Sequence, residues 1–139
     1  MSTIAASGTT LIWNNTDGIS VSFAGSGATI KRSTGSSSGF TAYIALENPP
    51  STTSHLSKVT GECTGSGGAT IDKITVNYGG NQIYESSTDL DLNADFSFTV
   101  DKTSGVADSK PYGICITVDF KFPSASSFKL SSLGLKFVE

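Results

Sequence analysis

Hydrophobic and polar residues alternate with a period of two along much of the chain. No window of helical length keeps an i, i+3, i+4, i+7 apolar stripe. The clearest run is "YGICITVDFKF", whose apolar positions Ile114, Ile116, Val118, Phe120 and Phe122 are separated by Cys115, Thr117, Asp119 and Lys121. Such alternation is typical of strands with one buried and one wet face, so the sequence predicts an all-β protein.

Further runs predict the remaining strands. "GISVSFAG", "FTAYIALE" and the closing "FKLSSLGLKFVE" are strand candidates, "TTLIW" is a shorter one, and "KVTGECTG" is weaker. "TIDKITVNY" and "QIYES" flank "GGN", which predicts a hairpin because glycines supply positive φ. No strand is assigned to "GSGATIKRS" or to the flexible "STGSSSG".

About eight to ten short strands with turn signals between them fit two packed antiparallel sheets. We therefore expect a two-sheet antiparallel β-sandwich, jelly-roll-like in its connections, with a closed β-barrel as the alternative. The length suits one domain, residues 1–139, that needs neither a disulfide nor a metal to fold.

Four segments carry a family resemblance: "MSTIAASGTT", "IKRSTG", "ITVNYGGNQIYE" and "GICITVDFKF". In outline they resemble small single-domain β-sandwich proteins of bacteria and fungi whose function is uncharacterised. The resemblance implies the sandwich fold, and it brings no catalytic residue to this sequence.

Composition and charge narrow the class of partner. Nine basic residues face twelve acidic ones, and Lys31-Arg32 is the longest basic cluster, so no footprint for a nucleic acid backbone is present. No segment approaches the roughly 20 apolar residues of a membrane-spanning helix, and the N-terminus lacks the pattern of a signal peptide. We expect no nucleic acid or membrane partner and a cytoplasmic protein, with secretion as the alternative.

The two cysteines and the single histidine give weak signals for chemistry. Cys63 and Cys115 lack a CxxC spacing and a neighbouring histidine, so they predict free thiols or one disulfide rather than a zinc site. "GECTG" superficially matches a nucleophile elbow, but that elbow needs a strand-to-helix turn in a parallel sheet. His55, in a predicted loop, is expected to be solvated.

The stretch "TDLDLNADFSFTVD" is the strongest candidate for a metal site. It carries oxygen ligands at spacing two, namely Asp89, Asp91, Asn93 and Asp95, of the kind that Ca²⁺ prefers. Ala94 and Val100 depart from the calcium-loop pattern, however, and a straight strand cannot wrap an ion. The alternative is a solvated acidic strand face. We expect two strands here, separated by a break at "NAD".

Two loops offer the aromatic and planar polar groups that recognise sugars. Their candidate ligands are Trp13, Asn14, Asn15 and Asp17 in the first loop, and Tyr78, Asn81 and Tyr84 in the second. A single Trp in a small β domain is also a common core residue, and "NNTDG" and "GGNQ" are ordinary turn sequences.

The sequence favours a non-enzymatic binding module of the lectin-like type, whose partner is a glycan or a small molecule. No cofactor is required, and Ca²⁺ is the cation that would suit the acidic stretch. One alternative is a small enzyme of the cyclase or isomerase type with a pocket between its sheets. Another is a structural protein that assembles, as a homo-oligomer, through its strand edges.

Overall fold

The computed structural model describes residues 2–14, 18–33, 39–46, 55–78, 81–87, 89–100 and 113–138. These residues form strands and a single short 3-10 turn, Gly8–Thr10. The strands are β1 Ser2–Ser7, β2 Ile12–Trp13, β3 Ile19–Ala24, β4 Gly27–Arg32, β5 Gly39–Leu46, β6 His55–Ser66, β7 Thr70–Tyr78, β8 Asn81–Glu85, β9 Phe96–Thr99, β10 Ile114–Lys121 and β11 Ser126–Val138. Within the described ranges, no helix is long and apolar enough to cross a membrane.

The strands form two antiparallel sheets. In the first sheet the order is β3-β4-β11-β6-β9, and β1 pairs with the second half of β11. In the second sheet the order is β2-β5-β10-β7-β8. Neither sheet closes on the other, so the predicted sandwich is confirmed and the barrel alternative is set aside. The chain crosses repeatedly between the sheets, as in a jelly roll.

Alternate residues of both sheets meet in the core. Phe120 of β10 is buried there, with its ring centroid 6.1 Å from that of Phe40 on the same sheet and 5.1 Å from that of Phe128 on the first sheet. The apolar positions of "ICITVDF" are all buried, as the alternation predicts. The other face of each sheet is polar and open to solvent.

Two segments of the first sheet differ from the secondary structure that the sequence predicted. The sequence assigned no strand to "GATIKR", but this segment is β4, which forms a hairpin with β3. The weak candidate "KVTGECTG" lies inside the twelve-residue β6, and His55, expected in a loop, is the first residue of that strand. Pairing with β11 and β9 on both sides of β6 overrides its irregular alternation.

The prediction for the acidic stretch, "TDLDLNADFSFTVD", is confirmed in one part and wrong in the other. The break at "NAD" is confirmed by a bend at Ala94 that precedes β9. A strand before the break is wrong, because Asp89 and Asp91 have φ values of 60° and 53° and only Leu92 makes an isolated bridge, to Ile71. This segment carries the chain from β8 in the second sheet to β9 in the first, so it must leave the extended conformation.

Candidate functional site

The outer face of the second sheet presents its polar side chains in rows across three strands. Strand register sets Thr41, Asp119 and Lys73 side by side in one row. The next row contains Tyr43, Thr117 and Thr75, which lie on β5, β10 and β7 respectively. All of these side chains are partly exposed. The sheet therefore supports an ordered polar surface that carries one aromatic ring.

A depression of about 430 Å³ opens on this face, at the end of the sheet where β2 meets β5. Its lining consists of Asn14, Gly39, Phe40, Thr41, Tyr43, Asp72, Asp119 and Phe120. Ile12, which is 63% exposed, is the cross-strand partner of Tyr43 and extends the apolar surface beside the depression. An apolar strip therefore borders a set of hydrogen-bonding groups.

Two carboxylates in the depression are held by defined hydrogen bonds. The hydroxyl of Thr41 donates to Oδ1 of Asp119 at 2.7 Å. Oδ1 of Asp72 accepts the backbone N–H of Asp89 at 2.8 Å. A carboxylate has about four lone-pair sites, so each can still accept hydrogen bonds from a ligand. This arrangement is suited to hydroxyl donors.

Lys73, beside the depression, compensates part of the negative charge of its carboxylates. Lys73 and Glu85 form an ion pair on the same face. The hydrogen bond to Glu85 raises the pKa of Lys73, and Lys73 in turn lowers the pKa of Glu85. Asp119 and Asp72 also raise the pKa of Lys73. Because Lys73 is shared among three carboxylates, part of the negative charge remains, and the free lone pairs of Asp72 and Asp119 are suited to hydroxyl donors.

The structure places the predicted sugar-binding residues of the first loop in different surroundings. Asn14 is exposed and lines the depression. Trp13 points to the opposite side of β2, where it packs against the core with its ring centroid 5.7 Å from that of Phe23. Asn15 and Asp17 lie outside the described residues.

The predicted sugar-binding residues of the second loop lie on the β7–β8 hairpin, at the edge of the sheet opposite to β2. Tyr78 is only 4% exposed and belongs to the core. Tyr84 packs against the core edge, 6.1 Å from the ring of Phe98, and burial raises its pKa. Asn81 begins β8, and its side chain lies outside the described part of the structure. Neither described tyrosine reaches the depression.

The predicted metal ligands are spread along the crossing segment. Oδ1 of Asp89 lies 3.4 Å from Nζ of Lys121, and Oδ1 of Asp95 accepts the backbone N–H of Cys63 at 2.9 Å. Asp91 and Asn93 are exposed. Among the described residues, no three His, Cys, Asp or Glu side chains come together as a metal-binding group. The cation site therefore stays a prediction.

Both cysteines are free thiols. Cys63 is buried, and its Sγ lies 3.2 Å from the carbonyl oxygen of Ala94. Burial, reinforced by Asp95, raises the pKa of Cys63 to about 11. "GECTG" lies in the second half of β6 and is extended throughout, so the strand-to-helix turn of a nucleophile elbow is absent at this position. Cys63 is consequently a poor nucleophile.

Packing between the two sheets bears on the alternative of a small enzyme with a pocket there. Large side chains of both sheets, including Phe122, Phe128 and Phe137, are fully buried between the sheets. Two further cavities lie beside the first sheet, and like the depression they are open to solvent. In the part of the chain that the structure describes, the space between the sheets is filled rather than hollow.

Sequence reasoning missed most of the depression. Thr41, Tyr43 and Asp72 were not singled out, and Asp119 was noted only as part of a polar face. The signal was available in "FTAYIALE", where an aromatic ring occupies a position of the wet face. Which residues of β7 and β10 lie beside that ring depends on the strand register, and no local pattern reveals it.

Comparisons with known proteins find a likeness of fold. No family model and no curated protein matches the chain. Among solved structures, the low affinity xylan binding module CBM86 from Roseburia intestinalis matches with a TM-score of 0.54 and 13% identity, over 99% of this chain and 97% of that one.

A second match is Xylanase10C from Cellvibrio japonicus, solved in complex with xylopentaose. Its TM-score is 0.51 at 11% identity, over 99% of this chain but only 27% of the xylanase chain. At these identities the two structures show a common β-sandwich fold.

Proposed function

We propose that the protein is a non-catalytic module that binds a neutral saccharide at the depression on the second sheet. The observation that carries the proposal is the position of Tyr43, an aromatic ring on a polar sheet face beside the hydrogen-bonded pair Thr41 and Asp119. A sugar ring offers C–H surface to an aromatic face and hydroxyl groups to carboxylates. The depression supplies both kinds of group.

The polar groups around Tyr43 support a saccharide over an apolar ligand. Asn14 contributes a polar amide side chain to the lining, and Asp72 and Asp119 offer acceptors that are already held in place by other hydrogen bonds. Because these carboxylates are positioned before binding, little conformational entropy is lost when a hydroxyl donates to them. An open depression on a sheet also suits an extended chain better than a small buried molecule.

The fold supports the same class of ligand. The module CBM86 is described as binding xylan, and the xylanase was solved with xylopentaose. Xylo-oligosaccharides are therefore the first ligands to test, together with neutral gluco- and galacto-oligosaccharides.

The proposal is tested by calorimetric titration of the protein with these oligosaccharides. We expect Tyr43→Ala to weaken binding by about tenfold or more, because a ring at the centre of a site carries much of its affinity. Tyr43→Phe keeps the ring and should retain most of the affinity. Thr41→Ala, which removes the hydroxyl that donates to Asp119, should also weaken binding, and Thr64→Ala at an exposed residue of the first sheet is its matched control. Binding that is unchanged in Tyr43→Ala would exclude this site.

The same titration tests the cation prediction for the acidic stretch. If Asp89, Asp91, Asn93 and Asp95 hold Ca²⁺, affinity or thermal stability should differ between calcium and EDTA, and Asp91→Asn should remove the difference. Equal results in calcium and EDTA would leave the saccharide site intact and count against the cation.

A further inference from the structure

Strand β3 forms one edge of the first sheet, and in the described part of the chain it pairs with β4 alone. Just before the strand, the carbonyl oxygen of Gly18 accepts the backbone N–H of Ser33 at 2.8 Å. Hydrogen-bonded residues alternate along an antiparallel ladder, so every second residue from Gly18 onward bonds to the β4 side. The intervening residues direct their backbone N–H and C=O groups away from β4. These residues are Ile19, Val21 and Phe23.

The outward-directed backbone groups of β3 have no hydrogen-bond partner among the described residues. The strand is six residues long and contains neither a charged residue nor a proline. Long, uncharged edges of this kind offer their backbone groups to a further strand.

The other edge strands carry features that oppose such pairing. Two of them, β2 and β9, have only two and four residues. The edge strand β8 carries the charged Glu85, and its register with β7 is irregular. β1 lies against β5 of the second sheet. Of the described edges, β3 is therefore the one best suited to accept a strand.

The core-facing side of the β3 edge is apolar and partly exposed. Phe23 is 48% exposed, although its ring centroid lies 5.7 Å from that of Trp13. Ile19 and Val21, on the same side of the strand, are half-buried. A strand added beside β3 would therefore cover apolar surface as well as form hydrogen bonds.

The residues of β3 match those of a second, antiparallel β3. Residues directly opposite each other in an antiparallel pair share a face, so a two-fold axis at Val21 sets this residue opposite the partner's Val21. Ile19 then lies opposite the partner's Phe23, and Ser20 lies opposite the partner's Ser22. The same axis brings the outward-directed backbone groups of the two strands into hydrogen-bonded pairs. Apolar residues meet apolar residues, serines meet serines, and no like charges face each other.

We propose that two copies of the chain associate through antiparallel pairing of β3 with β3, which joins their first sheets into one continuous sheet. The contact is isologous, so it closes at two copies and covers both β3 edges. A six-residue edge buries less surface than a standard protein interface, so we expect the dimer to dissociate on dilution.

The dimer would place two saccharide sites side by side, a consequence that rests on the proposed function. Because the two-fold axis is perpendicular to the sheets, the outer faces of both second sheets point in the same direction. The depression lies where β2 meets β5, and β2 is at the same side of the sandwich as β3. Two depressions facing one way can bind one polysaccharide with higher avidity than a single depression.

Sedimentation velocity tests the association of the full chain, from about 10 μM to 1 mM, a range that covers weak dimers. We expect the wild type to pass from monomer to dimer as its concentration rises. Ser20→Glu combined with Ser22→Glu sets like charges opposite each other across the axis and should weaken the dimer about tenfold or more. Both serines are exposed, so the fold should be kept.

Ser97→Glu combined with Thr99→Glu is the matched control. It adds the same charges at two exposed positions of β9, the opposite edge of the same sheet, and should dimerise as the wild type does. Ser20→Lys combined with Ser22→Lys should be monomeric alone. Mixed with the corresponding glutamate variant it should form a dimer, because opposite charges then face each other.

Hydrogen exchange locates the contact. The amides of residues 19, 21 and 23 should exchange rapidly in the dilute monomer, and about tenfold or more slowly in the concentrated dimer. The amides of Ser20 and Ser22 bond to β4 and should be protected at both concentrations.

Three results would overturn the proposal. The first is a wild type that stays monomeric over the whole concentration range. The second is equal weakening of the dimer by the glutamate variants of β3 and of β9, which would place the contact elsewhere. The third is protection of amides 19, 21 and 23 in the dilute monomer, which would mean that another segment of the same chain covers the edge. None of these results bears on saccharide binding at Tyr43, which calorimetry measures separately.

Discussion

The ring of Tyr84 on β8 lies 6.1 Å from the ring of Phe98 on β9, which joins an edge strand of one sheet to an edge strand of the other. At the opposite edges, Trp13 on β2 lies 5.7 Å from Phe23 on β3. The two aromatic pairs therefore cover the two open sides of the sandwich. Two residues that the sequence suggested as sugar ligands pack at these sides of the core instead.

Removal of one ring from an aromatic pair at the side of the sandwich should destabilise the fold. We expect Phe98→Ala to lower the free energy of unfolding by about 2 kcal/mol, because it loses buried area and contacts with Tyr84 and Phe96. Urea denaturation measures this difference. Phe23→Ala, at a ring that is 48% exposed, should cost clearly less. Equal losses for the two variants would contradict the role of burial.

Ser86 should stabilise the end of the β7–β8 hairpin. It is a buried polar residue whose hydroxyl accepts the backbone N–H of Ile74 at 2.9 Å. Ser86→Ala leaves that N–H without its acceptor, so we expect a loss of about 1 to 2 kcal/mol in the free energy of unfolding. The exposed neighbour Ser87 is the control, and Ser87→Ala should change stability very little.

Stability should fall at alkaline pH because of Cys63. Its pKa is raised from 9.0 to about 11 in the folded protein, so the unfolded chain loses this proton first. The stabilisation is complete below pH 9 and is lost as the pH rises towards 11, by roughly 1 kcal/mol per pH unit. Urea denaturation between pH 8 and 11 measures the slope.

Cys63→Ala should remove this part of the slope, while Cys115→Ala should keep most of it. A slope that is unchanged in Cys63→Ala would show that other groups cause the alkaline loss.

The ion pair beside the depression should be visible in a titration of Glu85. Its pKa lies below 4.5 because Lys73 favours the charged carboxylate. Lys73→Met should therefore raise the pKa of Glu85 towards 4.5, and the contribution of the pair to stability should be lost as pH falls through the lowered pKa. NMR of the side-chain carboxyl carbons measures the pKa of Glu85 in the wild type and in the variant. Lys121→Met, at the neighbouring pair with Asp89, should leave Glu85 unchanged.

The fold was largely predictable because alternation is a local property. "ICITVDF" places four apolar residues on one face, and the structure buries all four. "GATIKR" was missed because its outer Lys31 and its neighbour Arg32 end the run with two charges, and only pairing with β3 and β11 makes it a strand. The failure at Asp89 and Asp91 has a related cause, since a crossing between sheets leaves no periodic signal.

The sequence by itself determined the all-β class and the faces of the regular strands. Tertiary structure alone decided which wet residues lie together. Tyr43 and Asp119 are 76 positions apart in the chain, yet adjacent strands place them within two neighbouring rows of one face. Register is set by the packing of the opposite, buried face, so the depression is a consequence of core packing and could not be found from its own residues.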